Sequence, residues 1–417
     1  MSIVHVIGAG LAGLSAALVL SEVPGRAVIL YEGSPAAGGR CRSYYDRTLA
    51  LQIDNGNHLL LSGNDAAAAY LKSIGAADKL DGPDRARFPF IDLKTNERWT
   101  VRPNNGRIPW WILSASRRIP ATRLSDYLEL MSLVRLKDDT PVADAMRRGR
   151  LYWRLVEPLA IASLNTRPHS GLARLLGAVM RDTLLRGGKA CIPRYPKAGL
   201  SEALIDPAIA KLQERGAKVL FNHRIVGMAI ERGRVASLRT ADETIVLNAD
   251  DAVVMAVPPW VAVDLVPDLI VPDEFESILN IHFKFIANPK GPLGDTGFIG
   301  VLGGTAEWIF QKRDHISVTI SAANQMIDNE PEAIAEAVWT DICAALDIVT
   351  PLPPFRVIKE KRATFAATAR QDLRRPRART QYANLALAGD WTATGLPATI
   401  EGAIRSGRTA ANVLLTA

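Results

Sequence analysis

Near the start of the chain, Ile3-Val4-His5-Val6-Ile7-Gly8-Ala9-Gly10-Leu11-Ala12-Gly13 joins an apolar run to a glycine-rich turn. Residues 3–7 are a short, mostly β-branched run that ends at Gly8, and residues 11–20 have the Ala- and Leu-rich composition of a helix. Residues 27–31 form a second apolar run and close on Glu32. A strand, a glycine turn, a helix and a strand within about thirty residues make one βαβ unit. In such a unit Gly8 permits the tight turn, Gly10 lets the backbone approach a pyrophosphate, and Gly13 lets helix and strand pack closely. Ala9, Leu11 and Ala12 lie in the same turn, whose amides face the phosphates at the helix start. Glu32 stands 19 residues beyond Gly13, where a carboxylate accepts hydrogen bonds from a ribose diol. The stretch predicts dinucleotide binding.

Two further segments predict which dinucleotide. Gly38-Gly39-Arg40 follows Glu32 closely and brings a guanidinium toward the same phosphates. Ala388-Gly389-Asp390 ends a late apolar strand, and a helix begins near Thr399 and Ile400. A nicotinamide cofactor needs no such return of the chain, whereas FAD extends a ribityl chain and a flavin ring beyond its pyrophosphate. Asp390 can meet the ribityl hydroxyls or the pyrophosphate, and the amides near Ile400 can stabilise negative charge on the reduced ring.

The remaining sequence predicts an α/β protein with a Rossmann-like FAD-binding domain built from discontinuous segments: residues 1–61, 191–265 and 366–417. An α+β substrate domain of mixed sheet and helices is inserted as residues 62–190 and 266–365. Residues 62–190 read as mostly helical, 218–247 as a strand meander that includes 224–230, and 331–346 as a helix. Hydrophobic residues at 48% and charged residues at 22% exclude global disorder. Three scattered cysteines exclude a disulfide framework or thiolate metal site, and no metal is expected. The start lacks a basic signal-peptide region and its apolar run is broken by glycines, so a cytosolic start is expected.

Several motifs together resemble the flavin-dependent amine oxidase and phytoene desaturase superfamily: Gly8 to Gly13, Glu32, Gly38-Gly39-Arg40, and Gly389-Asp390 with Glu401-Gly402-Ala403-Ile404-x-Ser406-Gly407. Other motifs look like one group within it, the hydroxysqualene dehydroxylases. These are Asp54-Asn55-Gly56-Asn57-His58, Leu164-Asn165-Thr166, the run from Lys361 to Thr368, and Gly389-Asp390-Trp391-Thr392 with the run from Gly395 to Gly402. The resemblance spans nearly the whole chain. It implies FAD contacts at Gly56, Asn57 and Thr399, and an adenine contact from the backbone of Ile225 at a strand position. The C-terminal motif has no cysteine, so the FAD is expected to be non-covalent.

The resemblance also implies a reaction: hydride from reduced flavin replaces the allylic hydroxyl of hydroxysqualene, giving squalene for hopanoid biosynthesis. Such chemistry needs a proton donor for the hydroxyl and an apolar, aromatic-lined, water-free pocket for the developing cation. It also needs an electron donor to the FAD, which the sequence does not identify. His58 is the first candidate for the proton donor, against a role in bonding the flavin edge or its own turn. Asp54 is the second, against a turn former; Glu157 and Glu307 are further carboxyl candidates. His282 and His315 read as isolated core or rim histidines. A desaturase running the opposite redox direction, a flavin amine oxidase, and a prenyl-binding protein without flavin are the alternatives.

Charge adds one more expectation. Residues 107–154 hold ten Lys or Arg against five Asp or Glu, within a chain of net charge +7. Trp110-Trp111 lie within this region, between Pro109 and Arg117-Arg118, followed by Leu124, Tyr127, Leu128, Met131 and Val134 at helical spacing. This is either a core-facing stripe or a peripheral anchor on the inner face of a membrane, where a polyprenoid substrate dissolves. No nucleic-acid motif accompanies the charge.

Overall fold

In the computed structural model, which describes residues 2–416, strands Ser2–Ile7 and Arg26–Tyr31 lie parallel, joined through helix Leu11–Leu20. They form part of a five-stranded parallel sheet in the order Lys218–Leu220, Arg26–Tyr31, Ser2–Ile7, Ala252–Met255, Leu385–Leu387. The strand order reverses at Ser2–Ile7, and the crevice at the carboxyl ends of such a switch point is where open α/β sheets take ligands.

Helix Leu11–Leu20 is buried on nearly every side, because the sheet covers one face and the last helix, Ile400–Leu415, covers another. Two glycines make that contact close. A β-carbon on Gly13 would meet the Gly8 oxygen at 1.9 Å, and one on Gly407 would meet the Ala12 oxygen at 2.1 Å. A three-stranded antiparallel meander, Gly227–Glu231, Arg234–Arg239 and Thr244–Val246, packs against the sheet through Ile225, Val235 and Leu238.

The second sheet has seven strands, ordered Phe355–Phe365, Phe275–Phe283, Ile316–Ile320, Trp308–Gln311, Phe298–Leu302, Phe88–Asp92, Glu97–Val101. Its first face, with Ile281, Phe283, Ile309 and Val318, packs on Ile334, Val338, Trp339 and Ile342 of helix Pro331–Leu346. Its other face turns toward helices Leu124–Arg135, Glu157–Leu164 and Ala173–Asp182.

Three expectations need correction. Residues 62–190 are not mostly helical throughout, since Phe88–Asp92 and Glu97–Val101 form the edge of the second sheet. Pro89 obscures that strand, but the parallel ladder to Phe298–Leu302 begins at Phe90, so the missing amide is not needed there. Residues 224–226 lie outside the strand, which begins at Gly227, so Ile225 precedes strand Gly227–Glu231 rather than lying in it. The apolar positions of helix Leu124–Arg135 divide between two faces: Tyr127, Leu130, Leu133 and Val134 are buried, whereas Leu124, Leu128 and Met131 are exposed.

Candidate active site

The glycine turn ends the first strand with Gly8 at φ +103°, a conformation closed to side chains, and Ala256 behind it leaves no room for a β-carbon. A β-carbon on Gly10 would meet nothing within 4 Å. The backbone at Gly10 therefore borders open space of the kind a phosphate fills. Gly38, at φ +111°, bridges to Gly10, so the Gly38-Gly39-Arg40 segment lies against the same turn. Glu32 Oε2 accepts from the Ala9 amide at 2.9 Å, and Oε1 accepts from the amide and hydroxyl of Ser34 at 2.9 and 2.8 Å. The carboxylate is thus fixed at the strand end with acceptor capacity left for a diol. The His223 amide donates to the Glu32 oxygen at 2.9 Å, which brings the segment carrying Ile225 to the same end.

At the other end, Thr399 caps helix Ile400–Leu415 by accepting from the Gly402 amide at 3.0 Å. The Gly389 amide donates to Ser406 Oγ at 2.8 Å, which ties the Gly389-Asp390 turn to that helix. Buried Asp390 accepts from Arg40 Nη2 at 2.7 Å, and Arg40 also donates to the Ala363 oxygen. Arg40 therefore joins the early and late segments. An open glycine cradle, a fixed acidic residue and a capped helix start fit the two ends of FAD. The sequence reading missed Arg375, buried among arginines that look like ordinary surface charge. It donates to the backbone oxygens of Asp390 at 3.2 Å and Thr392 at 3.0 Å, and to Thr394 Oγ1 at 2.8 Å, and so shapes the Asp390 turn.

Residues 54–58 dock on the second sheet. Residues directly opposite in a sheet share a face, and the register places Trp99, Phe90, Phe88, Phe298, Trp308 and Phe310 on one face, continuous with Thr319, Ser317, Asn280 and His282. The six aromatic rings form one connected set, running Trp99, Phe90, Trp308, Phe298 with Phe88 and Phe310 both against Phe298, at centroid distances of 5.5 to 6.2 Å. Gly300 lies among them, where a β-carbon would strike Phe90 at 2.5 Å. The polar end of the face holds the segment. Asn57 Nδ2 donates to Ser317 Oγ at 2.7 Å and Thr319 Oγ1 at 3.1 Å, and Asn280 Nδ2 donates to the Asn55 oxygen at 3.2 Å. Asn57 Oδ1 is buried and without a partner. A β-carbon on Gly56 would meet Asn280 Nδ2 at 3.2 Å.

His58 thus follows directly on a segment fastened where the aromatic wall meets the polar corner. Burial pushes its imidazole down to about 4, against the opposing charge of Asp54, so it is neutral at neutral pH. Asp54 itself is fully engaged. Its Oδ1 accepts from Ser43 Oγ at 2.7 Å and the Leu200 amide at 2.8 Å, and its Oδ2 faces Lys312 Nζ at 3.3 Å. His282 and His315 are not isolated, since their rings hydrogen-bond to each other. Burial raises Glu157, and raises Glu307 to about 7, although the Ser321 amide donates to Glu307 at 2.7 Å. Among the described residues, no group of three or more His, Cys, Asp or Glu could hold a metal ion.

Residues 11–415 match the model of the flavin containing amine oxidoreductases. A hydroxysqualene dehydroxylase from Zymomonas mobilis subsp. mobilis is 46% identical over 417 residues, covering 100% of both chains. Another, from Rhodopseudomonas palustris, is 47% identical over 416 residues, covering 99% of this chain and 98% of that protein. Among solved structures, an oxidoreductase from Methanosarcina mazei superposes with a TM-score of 0.74 at 15% identity, over 97% of this chain and 99% of that one.

Proposed function

The chain belongs to the flavin containing amine oxidoreductase family, and from that premise we propose that it is a hydroxysqualene dehydroxylase, replacing an allylic hydroxyl with hydride to give squalene and water. The observation that carries the reading is the sheet face on which six aromatic side chains run up to the polar corner at residues 54–58. FAD is the cofactor, and in its reduced form it supplies the hydride.

The chain's own residues do the rest. Gly8, Gly10, Glu32 and Thr399 hold the cofactor's two ends, with Arg40 and Asp390 joining them. The aromatic wall excludes water and offers ring faces to positive charge that develops as the C–O bond breaks. His58 donates a hydrogen bond to the departing oxygen. As a neutral imidazole it gives a proton from one nitrogen, which makes the departing hydroxyl water, while the other nitrogen takes a proton from solvent water, so it need not be charged beforehand. Asp54, with its three donors, holds the segment in register. Each turnover leaves the cofactor oxidised, so an external electron donor must restore it.

The same reading divides the chain into a FAD-binding domain (1–61, 191–265, 366–417) and a substrate domain (62–190, 266–365). Sheet membership supports that division, because the parallel sheet draws its strands from the first set and the aromatic sheet from the second. It also includes peripheral contact with membrane lipid, supported by the exposed side chains Trp110, Leu113, Leu124, Leu128 and Met131 beside Arg107, Arg123 and Arg135. No helix among the described residues is long and apolar enough to cross a membrane.

The test is anaerobic. The purified protein's flavin is reduced chemically and mixed with hydroxysqualene in detergent, and the oxidised flavin band is followed while lipid is extracted. Reoxidation with squalene appearing is expected, and His58→Ala should slow it about 10²-fold or more without loss of FAD. Flavin that stays reduced, with desaturation of a hydrocarbon by the oxidised protein, would replace the reading with a desaturase.

A further inference from the structure

His282 in strand Phe275–Phe283 meets His315, the residue before strand Ile316–Ile320, and the pair extends into a chain of contacts. His282 Nε2 lies 3.0 Å from the Asp54 backbone oxygen, its Nδ1 lies 3.1 Å from His315 Nε2, and His315 Nδ1 lies 2.7 Å from Asp314 Oδ1. The chain runs from a carboxylate whose side chain is 44% exposed, through two buried rings, to the segment that carries His58.

Its two ends accept hydrogen bonds and donate none: one is a peptide oxygen, the other a carboxylate. Three contacts therefore need three protons, and two neutral imidazoles bring only two. The third can sit on either ring or on Asp314, but without it one of the three contacts is lost. We propose that Asp314, His315 and His282 act as one unit that takes up a single proton, and that this proton completes the chain that positions residues 54–58. His282, His315 and Asp314 are then positioning residues for the reaction, sensing solvent at Asp314 and acting at the Asp54 carbonyl.

The other charged groups facing the unit are Lys312 from the turn before His315, Asp54 from strand Leu51–Asp54, and Arg356 opposite His282 in strand Phe355–Phe365. Lys312 pairs with Asp54 and Arg356 with Asp46, each at 3.3 Å, so neither cation is left to face the rings unpaired. Burial is the largest influence on both rings, pushing His282 down to about 3 and His315 below its ordinary value. The proton is therefore taken up on the acid side of the ordinary histidine range of ~6.5 and lost as pH rises.

Asp314→Asn supplies the decisive variant. Its amide N–H can donate to His315 Nδ1, which leaves both rings free to donate from Nε2 and completes the chain with no added proton. In FAD-loaded protein carrying ¹⁵N-labelled imidazoles, the wild-type rings of His282 and His315 should respond together to one uptake, whereas in Asp314→Asn both should stay in the Nε2–H form across the pH range in which the wild-type rings respond. Separate titration of the two rings, or a wild-type titration in Asp314→Asn, would overturn the unit. The activity arm rests on the dehydroxylase reading. Substrate-driven flavin reoxidation should lose several-fold as pH rises through the wild-type transition, and that loss should be absent both in Asp314→Asn and in Asp314→Ala, where two neutral rings suffice for the two contacts that remain. Identical rate profiles in wild type and Asp314→Asn would overturn the positioning role. Ring behaviour as expected, with no reoxidation by hydroxysqualene at any pH, would support the unit and count against the substrate.

Discussion

Glu307 is held above the ordinary carboxylate range, at about 7, chiefly by burial; the Ser321 N–H and the charge of Arg167 pull the other way and do not prevail. A carboxyl raised in the folded state leaves stability intact in acid and removes it as pH climbs from the unfolded value through the folded one. The window here is about 4.5 to 7. Glu307→Gln keeps an acceptor for the Ser321 amide and cannot ionise. The variant should therefore match wild type near the acid end of this window and exceed it above pH 7 by up to about 3 kcal/mol, the ceiling for a shift of this size. Thermal melts at the two ends of the window check this. Parallel curves would mean that Glu307 does not titrate as its burial demands. His58 shifts in the opposite sense, so its contribution is lost as pH falls from ~6.5 toward about 4.

At the scale of elements, the contact between the first and last helices carries a prediction of its own. Gly407 lies so close to the first helix that a β-carbon would overlap the Ala12 oxygen at 2.1 Å and the Ala16 amide at 2.9 Å, and both are backbone atoms that cannot swing aside. Gly407→Ala should cost about 1–3 kcal/mol through overpacking. Because the same helix begins at Thr399 and Ile400, the displacement should also reach the flavin end. A lower melting temperature together with a lower flavin-to-protein absorbance ratio is expected; a variant that melts earlier but keeps full flavin would show that the helix start is fixed independently. This pairing also marks how far the sequence could be read. The Gly8 to Gly13 turn, Glu32 at the strand end and the helix start near Thr399 are local signals, each a few residues long. The ring pair His282–His315, the Arg40–Asp390 bridge and the docking of Asn57 on Ser317 and Thr319 depend on strand register across long separations. Long-range packing and register leave little trace in composition, so His282 and His315 looked isolated, and the protein partners of Arg40 and Asn57 could not be named. Arg375 was hidden for a related reason: a buried guanidinium that bonds backbone oxygens looks in sequence like any solvated arginine.

Over the whole molecule, one surface is out of keeping with the rest. Helix Leu124–Arg135 buries Tyr127, Leu130, Leu133 and Val134 against the core, yet Leu124, Leu128 and Met131 form a second apolar stripe on its outer side. Trp110 and Leu128 are 62% and 71% exposed, while neighbouring Trp111 is buried and meets Tyr127 edge to face. Single exposed apolar side chains are ordinary; a stripe at helical spacing beside a tryptophan and flanking arginines is what the proposed lipid contact requires. A substrate made almost wholly of hydrocarbon would reach the aromatic sheet from such a phase. The proposed lipid contact then has a calculable strength. Fully burying a side chain of this size is worth about 1.5–3 kcal/mol, and each nearby arginine adds about 1 kcal/mol on an anionic surface. Trp110→Ser with Leu128→Ser should therefore cut sedimentation with anionic vesicles by about two orders of magnitude. Raised salt should weaken wild-type binding through the arginines alone. Melting temperature and flavin content should not change, since neither side chain belongs to the core. Undiminished sedimentation of the double variant would return the stripe to ordinary surface, and the substrate would then have to enter the protein from a soluble carrier.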